Sequence, residues 1–228
     1  MADHFLPGPP VVPLTLRRST QARRISLRIS QLDGRVTLTL PRGVPEAEAL
    51  DFAQTKESWI RSHLAARQGD VMVAPGAELP VEGVTRRIIA GPGRGVRLAA
   101  DAIAVPEGQA ARRLQSWLRE LARDRLVGAA DSYARALGRD YTRITLRDTR
   151  SRWGSCSSQG ALMFSWRLVL APPEVLRYVA AHEVAHLAEM NHSAAFWTVV
   201  ERLHGPYEAP RHWLREQGAG LHRFRFSG

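Results

Sequence analysis

The chain has almost no cysteine and almost no lysine. Cys156 stands alone, so no internal disulfide can form, which fits a reducing compartment. Lys56 is the one lysine among 32 basic residues, and the other 31 are arginine. Long apolar runs are missing too. None approaches the roughly 18 residues that a membrane span needs, and the N-terminal FLPGPPVVPLTL is short and broken by prolines. With no basic leader ahead of a cleavable apolar segment, the expected location is the cytoplasm, with no membrane partner. Beyond a short basic-aromatic tail, LHRFRF (221–226), no arginine-rich block with interleaved aromatics stands out to mark a nucleic-acid face. The formal charge of +10 is compatible with a nucleotide or nucleic-acid partner, but near-complete use of Arg for Lys, beside plentiful Ala and Gly, equally suits a GC-rich genome.

What is present reads as an ordinary globular protein. Hydrophobic content is 44%, charged content is 24%, and 228 residues suffice for one large domain or two lobes. LTLRRSTQARRISLRIS (14–30) and GRVTLTLP (34–41) alternate around Asp33-Gly34 and predict a β-hairpin. Residues 45–67 open with a proline and acidic residues and predict one helix packed on it. Residues 81–106 read as short strands, with GPGRG (91–95) as a hairpin turn, since no Lys-Ser/Thr follows to make a phosphate loop. From Glu107 the pattern changes to one long amphipathic helix ending near Gly138. Strands are then expected at 141–148 and 161–171 around the loop TRSRWGSCSSQG, with Pro172-Pro173 starting a helix and shorter helices near 193–204 and 209–217. The expected class is α+β: a β-rich N-terminal lobe with one helix (14–105) and a catalytic lobe (106–222) in which an active-site helix lies beside a small sheet.

The chemistry concentrates in AAHEVAHLAEMNHSAAFW (180–197). On a helix His182 and His186 share one face with Val175 and Val179, Glu183 borders it, and Leu176, Ala180, Val184 and Leu187 make a second apolar stripe. Two imidazoles on a buried stripe need a partner, and a metal ion is one that serves both. His-Glu-x-x-His is a zinc spacing in which the Glu leans over the water at the metal. A catalytic site takes three protein ligands, and His192, six residues beyond His186, stands at the third-ligand interval of the extended motif. Glu189 occupies the position where that motif has glycine, so the turn is expected to be made otherwise, through a left-handed Asn191. Glu189 itself is the reserve ligand. Ser193 is expected to cap the next helix, whose Phe196 and Trp197 pack on His192. Three satisfied core histidines would be the alternative without chemistry.

The block RSRWGSCSSQGALMFSWRLVLAPPEVLRYVAAHEVAHLAEMNHSAAFW (150–197) resembles the signature of the YgjP-like predicted metal-dependent hydrolases, zincin relatives of the WLM and SprT-type metallopeptidases. RWGSC, the W-R-L strand end, the Pro before the helix, HExxH and N-H-S-x-x-F-W occur in order, and the hairpin and ESWI helix resemble the family's opening. Ser165 departs from the Asn that commonly precedes W-R-L. The resemblance implies a zincin-like fold, one zinc ion per chain held by His182, His186 and His192, and Glu183 as acid/base. Arg152 is nominated to stabilise the oxyanion, with Arg150 and Tyr178 behind it. The strand at 161–171 is expected to line the cleft, and Trp153 and Trp166 to be core. A Cys156 nucleophile with a histidine base is a rival scheme that leaves the HExxH spacing unexplained. Three functions follow: a zinc metallopeptidase acting on protein or peptide, a nucleoside-triphosphate phosphoanhydride hydrolase with arginine clamps, and a nucleic-acid-binding module with structural zinc.

Overall fold

The computed structural model describes residues 4–30, 33–66 and 69–226, and the chain divides into two compact units, Met1–Gly69 and Asp70–Gly228. The class is α+β. Among the described residues no helix is long and apolar enough to cross a membrane.

The first unit holds strands β1 (His4–Leu6), β2 (Val12–Ser19), β3 (Ser26–Ile29) and β4 (Val36–Pro41) in the order β1-β2-β4-β3. The predicted hairpin is there as β3 and β4, but residues 14–30 do not run as one strand: β2 pairs in parallel with the far side of β4. Alternation does the sorting, because Val12, Leu14, Val36 and Leu38 all point to one face and are buried there. Ala53 and Ile60, from α1 (Glu46–Thr55) and α2 (Glu57–Ala65), complete that core. The single helix expected over 45–67 is interrupted at Lys56, which leaves helical geometry at φ −102°, ψ 9°.

The second unit begins with β5 (Val71–Met72) and continues with β6 (Glu78–Val81), β7 (Val84–Gly91), β8 (Arg97–Leu98) and β9 (Ala102–Pro106). Sheet order is β6-β7-β9-β8, so GPGRG is no hairpin turn: it carries the chain past β9 to the opposite edge. Leu79, Val81, Ile88, Ile103 and Val105 share one core with the long helix α3 (Ala110–Leu137). The apolar face of these strands is covered by elements of the second unit. In α3, Leu114, Leu118, Ala122, Leu126 and Ala130 recur every four residues and are fully buried, and Gly138 ends the helix at φ 70°.

A three-stranded sheet follows, made of β10 (Arg143–Arg147), β11 (Gly154–Cys156) and β12 (Ala161–Ser165), with β12 in the middle. The expected strand 161–171 is half strand and half 3-10 helix, since Trp166–Leu170 coils instead. Every residue of that WRLVL run is buried, so no alternation marked where the strand stops. Then come α4 (Pro173–Ala185), α5 (Ala194–His204), α6 (Glu208–Glu216), a 3-10 turn at Gly218–Arg223, and β13 (Phe224–Arg225), which pairs with β5. Pro173 sits in the first turn of α4, where a missing N–H costs nothing.

Candidate metal centre

Helix α4 is buried nearly all round, with Val175, Leu176, Tyr178, Val179, Ala180, Ala181, Glu183, Val184 and Ala185 inside and Arg177 exposed. Its last residues carry the chemistry. His182 lies in the final turn and His186 is the C-cap, where the chain leaves the helix through tight turns closed by Leu187 N–H to the Val184 carbonyl (2.9 Å) and Ala188 N–H to the Ala185 carbonyl (3.0 Å). Asn191 is not left-handed; among the described residues only Glu82 and Gln109 have positive φ without being glycine. The reversal is made instead by the Asn191 side chain, whose Oδ1 accepts the Ser193 N–H at 2.9 Å. Ser193 is the N-cap of α5 by position, without a side-chain cap hydrogen bond.

This turn brings the His192 ring back over α4. Ligand atoms of His182, His186 and His192 all lie within 4.8 Å of one another, and Nε2 of His182 faces Nε2 of His192 at 3.1 Å. Tetrahedral ligation at about 2.0–2.1 Å would hold two such nitrogens about 3.3 Å apart, so this pair has the spacing that a shared metal ion requires, and the three histidines together could hold one. The tautomers fit as well. Nδ1 of His186 sits 2.9 Å from the Glu189 carbonyl, which fixes its proton there and turns the Nε2 lone pair toward the cluster. Glu189 thus serves through its main chain, and its carboxylate does not join the cluster. Nδ1 of His182 is buried without a hydrogen-bond partner. Burial lowers His182 to about 3, with the neighbouring His186, His192 and Arg211 acting in the same sense, and His186 is lowered too. Neutral imidazole is the form a metal requires.

Phe196 is the floor of the site. It is fully buried, with ring centroids 4.9, 4.5 and 4.8 Å from His182, His186 and His192. Trp197 stands further out, 5.8 and 6.0 Å from His182 and His192.

Glu183 is 6% exposed, and its carboxylate lies against β11. A Cβ on Gly154 would come within 2.5 Å of Glu183 Oε1, which explains the glycine in RWGSC by space alone. Burial pushes Glu183 up to about 8, while the charge of exposed Arg152 pulls it down. Burial, and then the Glu183 charge, pushes the Cys156 thiol up to about 11, the opposite of what a thiolate nucleophile needs. Arg150 is exposed, and its charge bears on His222. Tyr178 is buried edge-on to His182 at 6.0 Å. Trp166 is core, whereas half-buried Trp153 lines a cleft of about 630 Å³ that opens beside His182 and His192.

Three features were not foreseen from the sequence. First, β11, read as loop, is the strand nearest Glu183, while β12 is interior and offers no free edge. Trp153 O accepts from Ser165 N–H, and Ser157 N–H donates to Ala161 O, so the odd-numbered residues face β12. By alternation the N–H and C=O groups of Gly154 and Cys156 face the open edge. Second, Arg167 is buried and grips Asp148 with two hydrogen bonds of 2.6 and 3.1 Å, while its Nη1 donates to the carbonyls of Leu221 and Phe224 at 3.1 and 3.0 Å. That clamp seats the C-terminal turn, whose His222 packs on Trp153 at 5.0 Å. Third, Arg211 of α6 reaches the cleft. Asp148 and His222 alone gave no motif to read.

No curated protein shows significant similarity to the chain. Among solved structures, the metallopeptidase zymogen of Pyrococcus abyssi abylysin is similar over 41% of this chain and 92% of its own, at 21% identity and a TM-score of 0.36. A family model, the YgjP-like metallopeptidase domain, matches residues 23–217 and so takes in both units and the whole histidine cluster. The chain belongs to the YgjP-like metallopeptidase family.

Proposed function

We propose that the chain is a zinc-dependent peptidase that binds one zinc ion through His182, His186 and His192 and uses Glu183 as its general acid/base. The observation that carries this reading is the convergence of three imidazole donors within 4.8 Å of one another beside a buried carboxylate. A zinc ion at such a site supplies a Lewis acid, which lowers the pKa of water toward about 7 and polarises a carbonyl oxygen.

The chain's own groups do the rest. Glu183 takes a proton from the attacking water as its oxygen bonds to the substrate carbonyl carbon, and returns that proton to the amine nitrogen as the C–N bond breaks. Burial raises the Glu183 carboxyl and the Arg152 charge lowers it, and the charge of a bound zinc ion would lower it further, toward the ionised form that a base needs. Arg152 places positive charge on the Glu183 side, where negative charge develops in the tetrahedral transition state. The free edge at Gly154 and Cys156 offers main-chain donors and acceptors to an extended peptide, which favours a peptide over a compact substrate. Among the described residues no fourth side chain joins the three histidines, which argues for an open coordination position rather than a structural zinc.

Chelator-treated protein should lose hydrolysis of an unfolded protein substrate and regain it on zinc addition. Cleavage that survives in verified metal-free protein contradicts the reading.

A further inference from the structure

The cleft beside the histidines carries cations with no anions to match them. Arg211 and Arg215 line it together with Tyr178, Trp197, His182 and His192, and among the described residues no Asp or Glu does. Some arginines of this chain are held by carboxylates, as Arg61 is by Glu57, Arg125 by Glu82, Arg167 by Asp148 and Arg225 by Asp70, and Arg86 is held by main-chain carbonyls. Among the described residues neither Arg211 nor Arg215 has a carboxylate within ion-pair distance.

Arg211 is also held in place. Its guanidinium carbon sits 4.4 Å from the centre of the Trp197 ring. That ring stacks on Tyr207 at 5.1 Å and 19°, and Tyr207 stacks on Tyr178 at 6.2 Å and 12°. Stacking one face of a guanidinium on an indole leaves its N–H donors free in the plane, the geometry for a two-point grip on a carboxylate. A surface arginine free to wave would lose this advantage, because ordering its side chain would offset part of each contact. Two unpaired cations beside a site that itself takes a divalent cation raise a local positive potential, and a substrate that brings an anion to the same place relieves it.

We propose that Arg211, supported by Arg215, determines specificity by binding a carboxylate of the peptide substrate near the scissile bond: either an Asp or Glu side chain or a free C-terminus. This rests on the peptidase reading, so the test separates binding from turnover.

Zinc-loaded Glu183→Gln protein is titrated into fluorescent peptides that carry Glu, Gln or Lys beside a common core, each with a free or an amidated C-terminus, and anisotropy gives the affinities. Peptides with the added carboxylate should bind about tenfold tighter or better. The Glu series identifies a side-chain carboxylate, and the free-versus-amidated comparison identifies a terminal one. Adding Arg211→Gln should remove most of that advantage, and Arg211→Glu should turn the preference toward Lys. If the Arg211 variants lose zinc or fold, Arg215→Gln, on the exposed flank, should reduce the same preference by a smaller factor. Indifference to peptide charge, a preference unchanged in Arg211→Glu, or tighter binding of nucleoside triphosphates than of any peptide overturns the proposal. Charge-selective binding of peptides that the zinc-loaded wild-type chain fails to cleave would leave the carboxylate site standing and remove the peptidase.

Discussion

Glu183 rests on Gly154 so closely that a methyl group there would stand 2.5 Å from its Oε1 and 2.6 Å from its Cγ. Gly154→Ala should therefore move the carboxylate without touching a zinc ligand. Positional errors of about 1 Å at a catalytic group cost about a hundredfold in rate. The expected outcome is a loss of that order in kcat with zinc content at the wild-type level. Full activity in Gly154→Ala would mean that the carboxylate position does not matter.

Phe196 supports all three imidazoles from inside the core, so Phe196→Ala should fail in two ways at once. Truncating a buried Phe costs about 3–5 kcal/mol of stability. Loss of the floor should also loosen zinc by roughly tenfold to a hundredfold, the range seen when supporting partners of metal ligands are removed. Denaturant unfolding and competition with a chromogenic chelator measure the two effects separately.

His222 gives a pH dependence with a defined sign. Burial lowers it to about 4, and the Arg167 charge acts in the same direction, so the folded chain refuses a proton that the unfolded chain accepts near the ordinary value of 6.5. Stability supported by neutral His222 is complete above about pH 6.5 and is lost as pH falls toward 4. His222→Phe keeps a ring on Trp153 and should remove this pH dependence, so that the variant's stability falls less steeply than the wild type's as pH drops from 6.5 to 4. Parallel wild-type and variant curves between pH 6.5 and 4 would show that His222 does not titrate there.

The Asp148 carboxyl, paired with Arg167, responds at lower pH. Burial raises the Asp148 carboxyl, but its hydrogen bonds and charge pairing with Arg167 outweigh that and leave it below the ordinary 3.8. The pair's stabilisation is present above about pH 3.8 and lost as pH falls through the folded value. Asp148→Asn strands the buried guanidinium, and breaking such a pair costs about 3–5 kcal/mol when fully buried; Asp148 is 38% exposed at its side chain, so a smaller loss is expected. Thermal unfolding at neutral pH should show the Asp148→Asn penalty, and the penalty should shrink on acidification.

The histidine cluster was legible because its geometry is local. An i, i+4 pair on a helix and a ligand six residues further on are brought together by one turn, and spacing alone describes them. The turn itself was misread: the sequence suggested backbone strain at Asn191, whereas an Asx hydrogen bond does the work. The neighbours that complete the site come from far along the chain. Arg167 meets Leu221 across 54 residues, and Arg211 reaches Trp197 from another helix, so neither relationship follows from a spacing within one helix or one turn. β11 escaped notice because three residues, one of them a glycine required for space, make no alternating pattern. In the N-terminal unit the alternation of Val36–Pro41 was plain, but which strand lies on each side of it depends on a crossover that alternation does not encode.

Zinc content and peptide hydrolysis, measured on the same samples of wild-type and Glu183→Gln protein, bear most directly on the whole scheme. The account predicts one zinc per chain in both proteins and hydrolysis only in the wild type. A Glu183→Gln protein that cleaves as fast as wild type, or a wild-type chain that takes up no metal, would contradict it.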